Sequence, residues 1–71
     1  MKLTFKEQKE WETIEEDLFE LEAKIEETEQ EMAKNGSNYE QIASLEEERQ
    51  KLKRQFDKKM SRWEYLSQFA D

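Results

Sequence analysis

A chain of 71 residues with no proline and a single glycine has few places to turn, and here they fall together at mid-chain, in Asn35-Gly36-Ser37-Asn38. Gly36 is suited to the left-handed conformation that ends a helix, and Lys34 stands in the last turn before it, where a cation favours the helix C-terminus. Ser37 followed by Glu40 has the spacing of a capping box, which starts a new helix. Sheets need frequent turn residues, so a chain punctuated once and rich in Glu, Lys, Leu and Gln predicts two long helices. The sequence thus predicts helix 1 over about 5–34, a turn at 35–37 and helix 2 over about 38–69.

Both predicted helices carry a heptad track. Before the break, Trp11, Ile14, Leu18, Leu21, Ile25, Thr28 and Met32 recur at steps of three and four. After it, Ile42, Leu45, Arg49, Leu52, Phe56, Lys59, Trp63, Leu66 and Ala70 do the same. Such seams need a partner, and a short connector makes the two helices antiparallel neighbours. The favoured register sets Met32 against Leu45, Ile25 against Leu52, Leu21 against Phe56, Ile14 against Trp63 and Trp11 against Leu66. It leaves Thr28 facing Arg49 and Leu18 facing Lys59, with Met60 beside the latter gap. A one-heptad slide sets Leu21 against Arg49 and Trp11 against Lys59, which buries charge against apolar surface.

Charge favours the same pairing. Residues 5–35 carry four lysines and twelve acids, a net of −8, whereas residues 49–62 carry seven bases and one acid, a net of +6. The whole chain stands at −7, which repels nucleic acid and anionic lipid taken at large. There is no apolar run of membrane-spanning length and no signal-like N-terminus. His and Cys are absent, so nucleophile–His and Cys/His zinc arrangements cannot be built, and one glycine cannot make a phosphate-binding Walker loop. The expectation is a non-enzymatic chain with no catalytic, cofactor or metal site, compatible with a reducing cytoplasm.

The opening Leu3-Thr4-Phe5-Lys6-Glu7-Gln8-Lys9-Glu10 and the closing Ser61-Arg62-Trp63-Glu64-Tyr65-Leu66 resemble the two ends of the C-terminal domain of the ABC-F ATPases, the Uup-like ATP-binding cassette proteins. The resemblance covers essentially the whole chain. It implies a fragment of a larger cytoplasmic ATPase, whose ATP and magnesium are held by two upstream cassettes of the same chain. It also implies contact with the ribosome, ribosomal RNA or DNA. The family often has a proline near the position of Glu15. Here Thr13 and Glu16 form a second capping pattern, which predicts a short helical segment over about 4–12 before a kink or a continuous run.

Three groups of residues are candidates for function. Lys51, Arg54, Lys58 and Arg62 fall within about 80° of one another on a helical wheel, off the seam. They read either as a ridge that tracks phosphates or as a solvated face paired with helix 1 acids. Phe5, Trp11, Trp63, Tyr65 and Phe69 gather at the base, where the chain ends meet. They read either as a mini-core that staples the ends or as a docking patch. Asn35, Gly36, Ser37 and Tyr39 make the tip, with Tyr39 expected to pack over the hairpin end rather than to stand free. The predicted architecture is therefore all-α: a monomeric, antiparallel two-helix coiled-coil hairpin with a short N-terminal helical segment at its base. It is either a nucleic-acid- or ribosome-binding accessory module or a protein-interaction coiled coil with no nucleic-acid contact.

Overall fold

In the computed structural model, which describes residues 2–70, α1 spans Phe5–Lys34 and α2 spans Tyr39–Ser67. They pack against one another along their length. Ion pairs between Glu10 and Arg62 near one end and between Glu29 and Arg49 near the other make them antiparallel. The molecule measures 53 × 16 × 14 Å. Thirty helical residues rise about 45 Å, so this is the length of one helix and the width of two.

The register follows the seam. Glu29 with Arg49, Asp17 with Lys59 and Glu15 with Trp63 each lie within one residue of the favoured alignment and far from the slid one. Its two flaws are resolved by side chains that leave the seam. Arg49 turns outward to Glu29 at 3.2 Å and Glu46 at 3.1 Å. Thr28, which it would have faced, is buried and donates its hydroxyl to the Lys24 carbonyl at 2.8 Å. Lys59 swings to Asp17 at 3.0 Å, and Met60 comes to lie alongside Leu18.

The caps at the helix ends depart from expectation. α1 is one continuous helix, without a separate N-terminal segment. Its cap is Thr4, whose hydroxyl accepts from the Glu7 amide at 3.1 Å while the Glu7 carboxylate accepts from the Thr4 amide at 3.0 Å. Thr13 starts no helix; its hydroxyl donates to the Glu10 carbonyl. At the tip Gly36 does not adopt the left-handed conformation. Asn35 ends α1 instead, its side-chain amide donating to the Glu31 carbonyl at 2.8 Å. Asn38, not Ser37, caps α2 by accepting from the Gln41 amide at 3.2 Å. One amide side chain on each side of the turn thus satisfies backbone groups that a helix end leaves open.

Two helices cannot cover each other's seam completely, and most seam residues are half-buried. The exceptions among apolar residues are Ile14 and Leu66, both fully buried near the base. There the chain adds material beyond the two helices. The amides of Phe69 and Ala70 both donate to the Leu66 carbonyl, which continues the last turn past the end of α2. Trp11 and Trp63 stack with ring centroids 6.0 Å apart.

Candidate functional site

The basic stripe divides into two parts. Lys51, Arg54 and Lys58 are exposed, and none of the three is ion-paired among the described residues. They occupy eight residues of one helix, roughly 10 Å of its axis. Arg62 is different. Its guanidinium grips the Glu10 carboxylate through two hydrogen bonds of 2.7 and 3.0 Å, lies 3.8 Å from Glu7, and stacks 5.1 Å from the Tyr65 ring centroid. Three cations are therefore free to meet a ligand, while the fourth is a clasp that joins the helix ends.

The clasp has an electrostatic signature. Arg62 holds the Glu10 carboxyl below its usual range, chiefly through the hydrogen bond and against some desolvation. The same hydrogen bond raises the Arg62 guanidinium further. Since the folded-state value of Glu10 is lowered, the ionised clasp adds stability above pH of about 4.5, the ordinary carboxyl value, and that stability drains away as pH falls through the lowered value. Glu10→Gln is therefore expected to melt at a lower temperature than the parent at neutral pH, with the gap closing in acid. Thermal melts of both chains followed by circular dichroism across that range check it. Because both partners are partly open to water, the gap is modest.

Between the helices on this side runs an open groove of about 840 Å³, flanked by Glu10, Asp17 and Glu20 of α1 and by Lys58, Lys59 and Arg62 of α2. Its charges are mixed and two of its bases are already paired, so it offers no concentrated field to an anion. The opposite side holds a smaller, apolar groove of about 290 Å³ around Leu18, Phe19, Phe56, Met60 and Trp63.

The base aromatics serve both readings offered by the sequence. Trp11, Trp63 and Phe69 are half-buried, and Phe69 meets Tyr65 edge to face at 5.3 Å. Phe5 belongs to no core: it is 81% exposed, with the Lys9 ammonium 5.6 Å from its ring centroid. The position that extends the seam toward the chain start is Glu7, which reaches Arg62 instead. Tyr39 does not pack over the hairpin end; it is 86% exposed. In the observed register it projects past the end of α1, where nothing remains to receive it.

Gly36 is the one glycine and sits in the tip turn, and no cluster of three potential metal ligands occurs among the described residues. Nor, among them, is any helix long and apolar enough to cross a membrane.

Comparison with known proteins converges on one family. The family model described as ABC transporter C-terminal domain matches residues 2–68. An uncharacterized ABC transporter ATP-binding protein of Bacillus subtilis (strain 168), YfmR, is 38% identical over 66 residues. That match takes in 93% of this chain and 10% of the relative, so the chain spans about a tenth of the length of the curated protein it resembles. No solved structure matches.

Proposed function

This chain belongs to the ABC transporter C-terminal domain family, and we propose from that premise that it is the C-terminal accessory module of an ABC-F type ATPase, laying α2 against the phosphate backbone of ribosomal RNA or DNA. It is a small helical C-terminal domain and not itself a catalytic ATPase cassette. In this reading the cassettes lie elsewhere in a longer cytoplasmic protein and hold ATP and magnesium. The hairpin supplies a stiff arm whose engagement with nucleic acid tunes their turnover.

The observation that carries the reading is the exposed, unpaired trio Lys51, Arg54 and Lys58 on a chain whose net charge is −7. Free cations collected on one flank of an acidic molecule direct a polyanion to that flank and repel it elsewhere. Three phosphate contacts release few counterions, so binding should be weak and only moderately dependent on salt. The slope of log affinity against log salt should be roughly −3 for duplex DNA. Titrating the chain with labelled duplex DNA, with ribosomal RNA and with ribosomes at several salt concentrations measures it. The triple change of Lys51, Arg54 and Lys58 to Glu is expected to abolish binding while leaving the helical signal intact, since these side chains contact no seam. Binding that survives the triple change excludes the stripe.

The exposure of Phe5, Phe19 and Tyr39 favours a second reading, a protein-interaction coiled coil with no nucleic-acid contact. It predicts affinity for a protein and none, at any salt, for RNA or DNA.

A further inference from the structure

We propose that the apolar groove at Leu18, Phe19, Phe56, Met60 and Trp63 is a second docking site, which receives one bulky apolar side chain of a basic amphipathic helix. The groove exists because of a local break in the seam. Where the heptad track would set Lys59 against Leu18, Lys59 leaves for Asp17, and Met60 and Trp63 are left flanking Leu18 from the α2 side. The space of about 290 Å³ suits one large side chain and lies at the small end for a free organic ligand. Phe19 stands at its lip, 74% exposed. That is large apolar surface with no intramolecular use, since it sits off the track that α2 covers. The Trp63 indole N–H donates toward the Glu15 carboxylate at 3.4 Å, which holds the ring edge against the lip.

The charge around the groove selects the occupant. Glu15 and Glu22 line it directly. Glu12 and Glu26 stand one heptad beyond Phe19 in either direction and share its face of α1. On the α2 side Asp57 and Glu64 flank Met60 at helical spacing. Two bases share this side: Arg49 is already held by Glu29 and Glu46, and Lys53, exposed one heptad before Met60, is outnumbered by the six acids named here. A partner that buries an apolar anchor here must therefore bring Lys or Arg one turn to either side of it. An apolar stripe flanked by bases is the pattern of an amphipathic helix laid in a groove. A second copy of this chain is a poor occupant: the one exposed aromatic beside its basic stripe, Tyr65, is engaged by Arg62 and Phe69, and its apolar face is acidic. This site lies on the flank away from Lys51, Arg54 and Lys58, and does not depend on their binding anything.

The test uses a synthetic amphipathic peptide of several helical turns, with Leu and Phe on one face, Lys and Arg beside them and no Trp. Trp11 and Trp63 fluorescence then reports on the protein alone. Expected is a saturable change with micromolar affinity. Phe19→Ala, and separately the pair Glu15→Gln with Glu22→Gln, should each weaken it about tenfold, the size of a central contact at such an interface. The triple change of the basic stripe to Glu should leave the affinity undiminished. A peptide with Glu in place of its bases should not bind. Phe19 is exposed, so its removal leaves the fold intact, and circular dichroism verifies that. The proposal is overturned if the basic peptide does not bind. It is equally overturned if Phe19→Ala binds as tightly as the parent, which would mean diffuse charge attraction, or if rising concentration alone fills the groove by pairing two chains.

Discussion

Leu66→Ala is expected to lower the melting temperature of this chain by 10 °C or more, and Ile14→Ala to do nearly as much. Both side chains are fully buried, and no other apolar residue of the described chain is. Truncating a buried Leu or Ile to Ala costs about 2–5 kcal/mol, from lost transfer energy plus the cavity left behind. A folded domain of this size has a total stability of roughly 4–11 kcal/mol. One truncation therefore removes a large share of the whole, and each kcal/mol shifts the melting point of so small a domain by about 4–8 °C. The contrast with other apolar positions sharpens the expectation. Trp63 is larger, but it is half-buried and keeps a face open to the groove, so its removal should cost less than its size suggests. Phe19→Ala should change stability by less than about 0.5 kcal/mol. Thermal and denaturant melts of the four variants beside the parent give the ranking. A Leu66→Ala chain as stable as Phe19→Ala would show that the base is not where the hairpin is held.

That ranking was only partly legible in the sequence. The seam positions, the antiparallel pairing and the register could be read, because apolar spacing and the opposed charge of the two segments point the same way. The concentration of full burial at Ile14 and Leu66 could not. In a two-helix seam all track positions look alike in sequence, and full burial is decided by the neighbours each side chain meets in space. The caps show a different limit. Thr4 with Glu7, Thr13 with Glu16 and Ser37 with Glu40 share one pattern, and only the first forms the box. Thr13 lies inside a run whose backbone groups are already paired. Ser37 loses to Asn38, which stands one residue nearer the helix that forms. Gly36 suggested a left-handed ending, but the amide of Asn35 reached the open carbonyl first.

The candidate site was legible as charge and not as pairing. Helical spacing placed Lys51, Arg54, Lys58 and Arg62 together, yet it could not distinguish three free cations from one already held by Glu10. The signal lay across the hairpin: in the favoured register Arg62 falls opposite Glu15, from which its long side chain reaches back toward Glu7 and Glu10, one turn apart near the chain start. The apolar groove was hidden in the same way. Leu18 facing Lys59 was visible as a mismatch, and the groove is what that mismatch becomes once Lys59 finds a better partner outside the seam.

Replacing Asn35, Gly36, Ser37 and Asn38 with alanine is expected to convert the hairpin into an antiparallel dimer of long rods. Every device that ends α1 and starts α2 lies within these four residues. The Asn35 amide caps the last carbonyls, the Asn38 carbonyl oxygen of the side chain caps the first amides, and the Asn38 amide closes the turn on the Asn35 carbonyl at 2.9 Å. Each cap contributes about 1 kcal/mol, and alanine is the residue most at ease inside a helix. With the caps gone, continuing the helix through the tip is favoured. A continuous rod of this length would then expose both seams. Two rods side by side can restore every seam contact, because each α1 meets the α2 of its partner in the register it had within one chain. Light scattering should show the mass doubling, with the dimer strengthening as concentration rises. Labels near the two termini of one chain should move to about 90 Å apart, the rise of the two helices laid end to end. Gly36→Ala alone is the control. A Cβ there meets nothing nearer than the Ala33 carbonyl oxygen at 3.8 Å, and the backbone is not left-handed, so the single change should leave a monomeric hairpin. If the fourfold variant also stays monomeric with its ends together, the seam alone is strong enough to force the turn, and the caps merely decorate it.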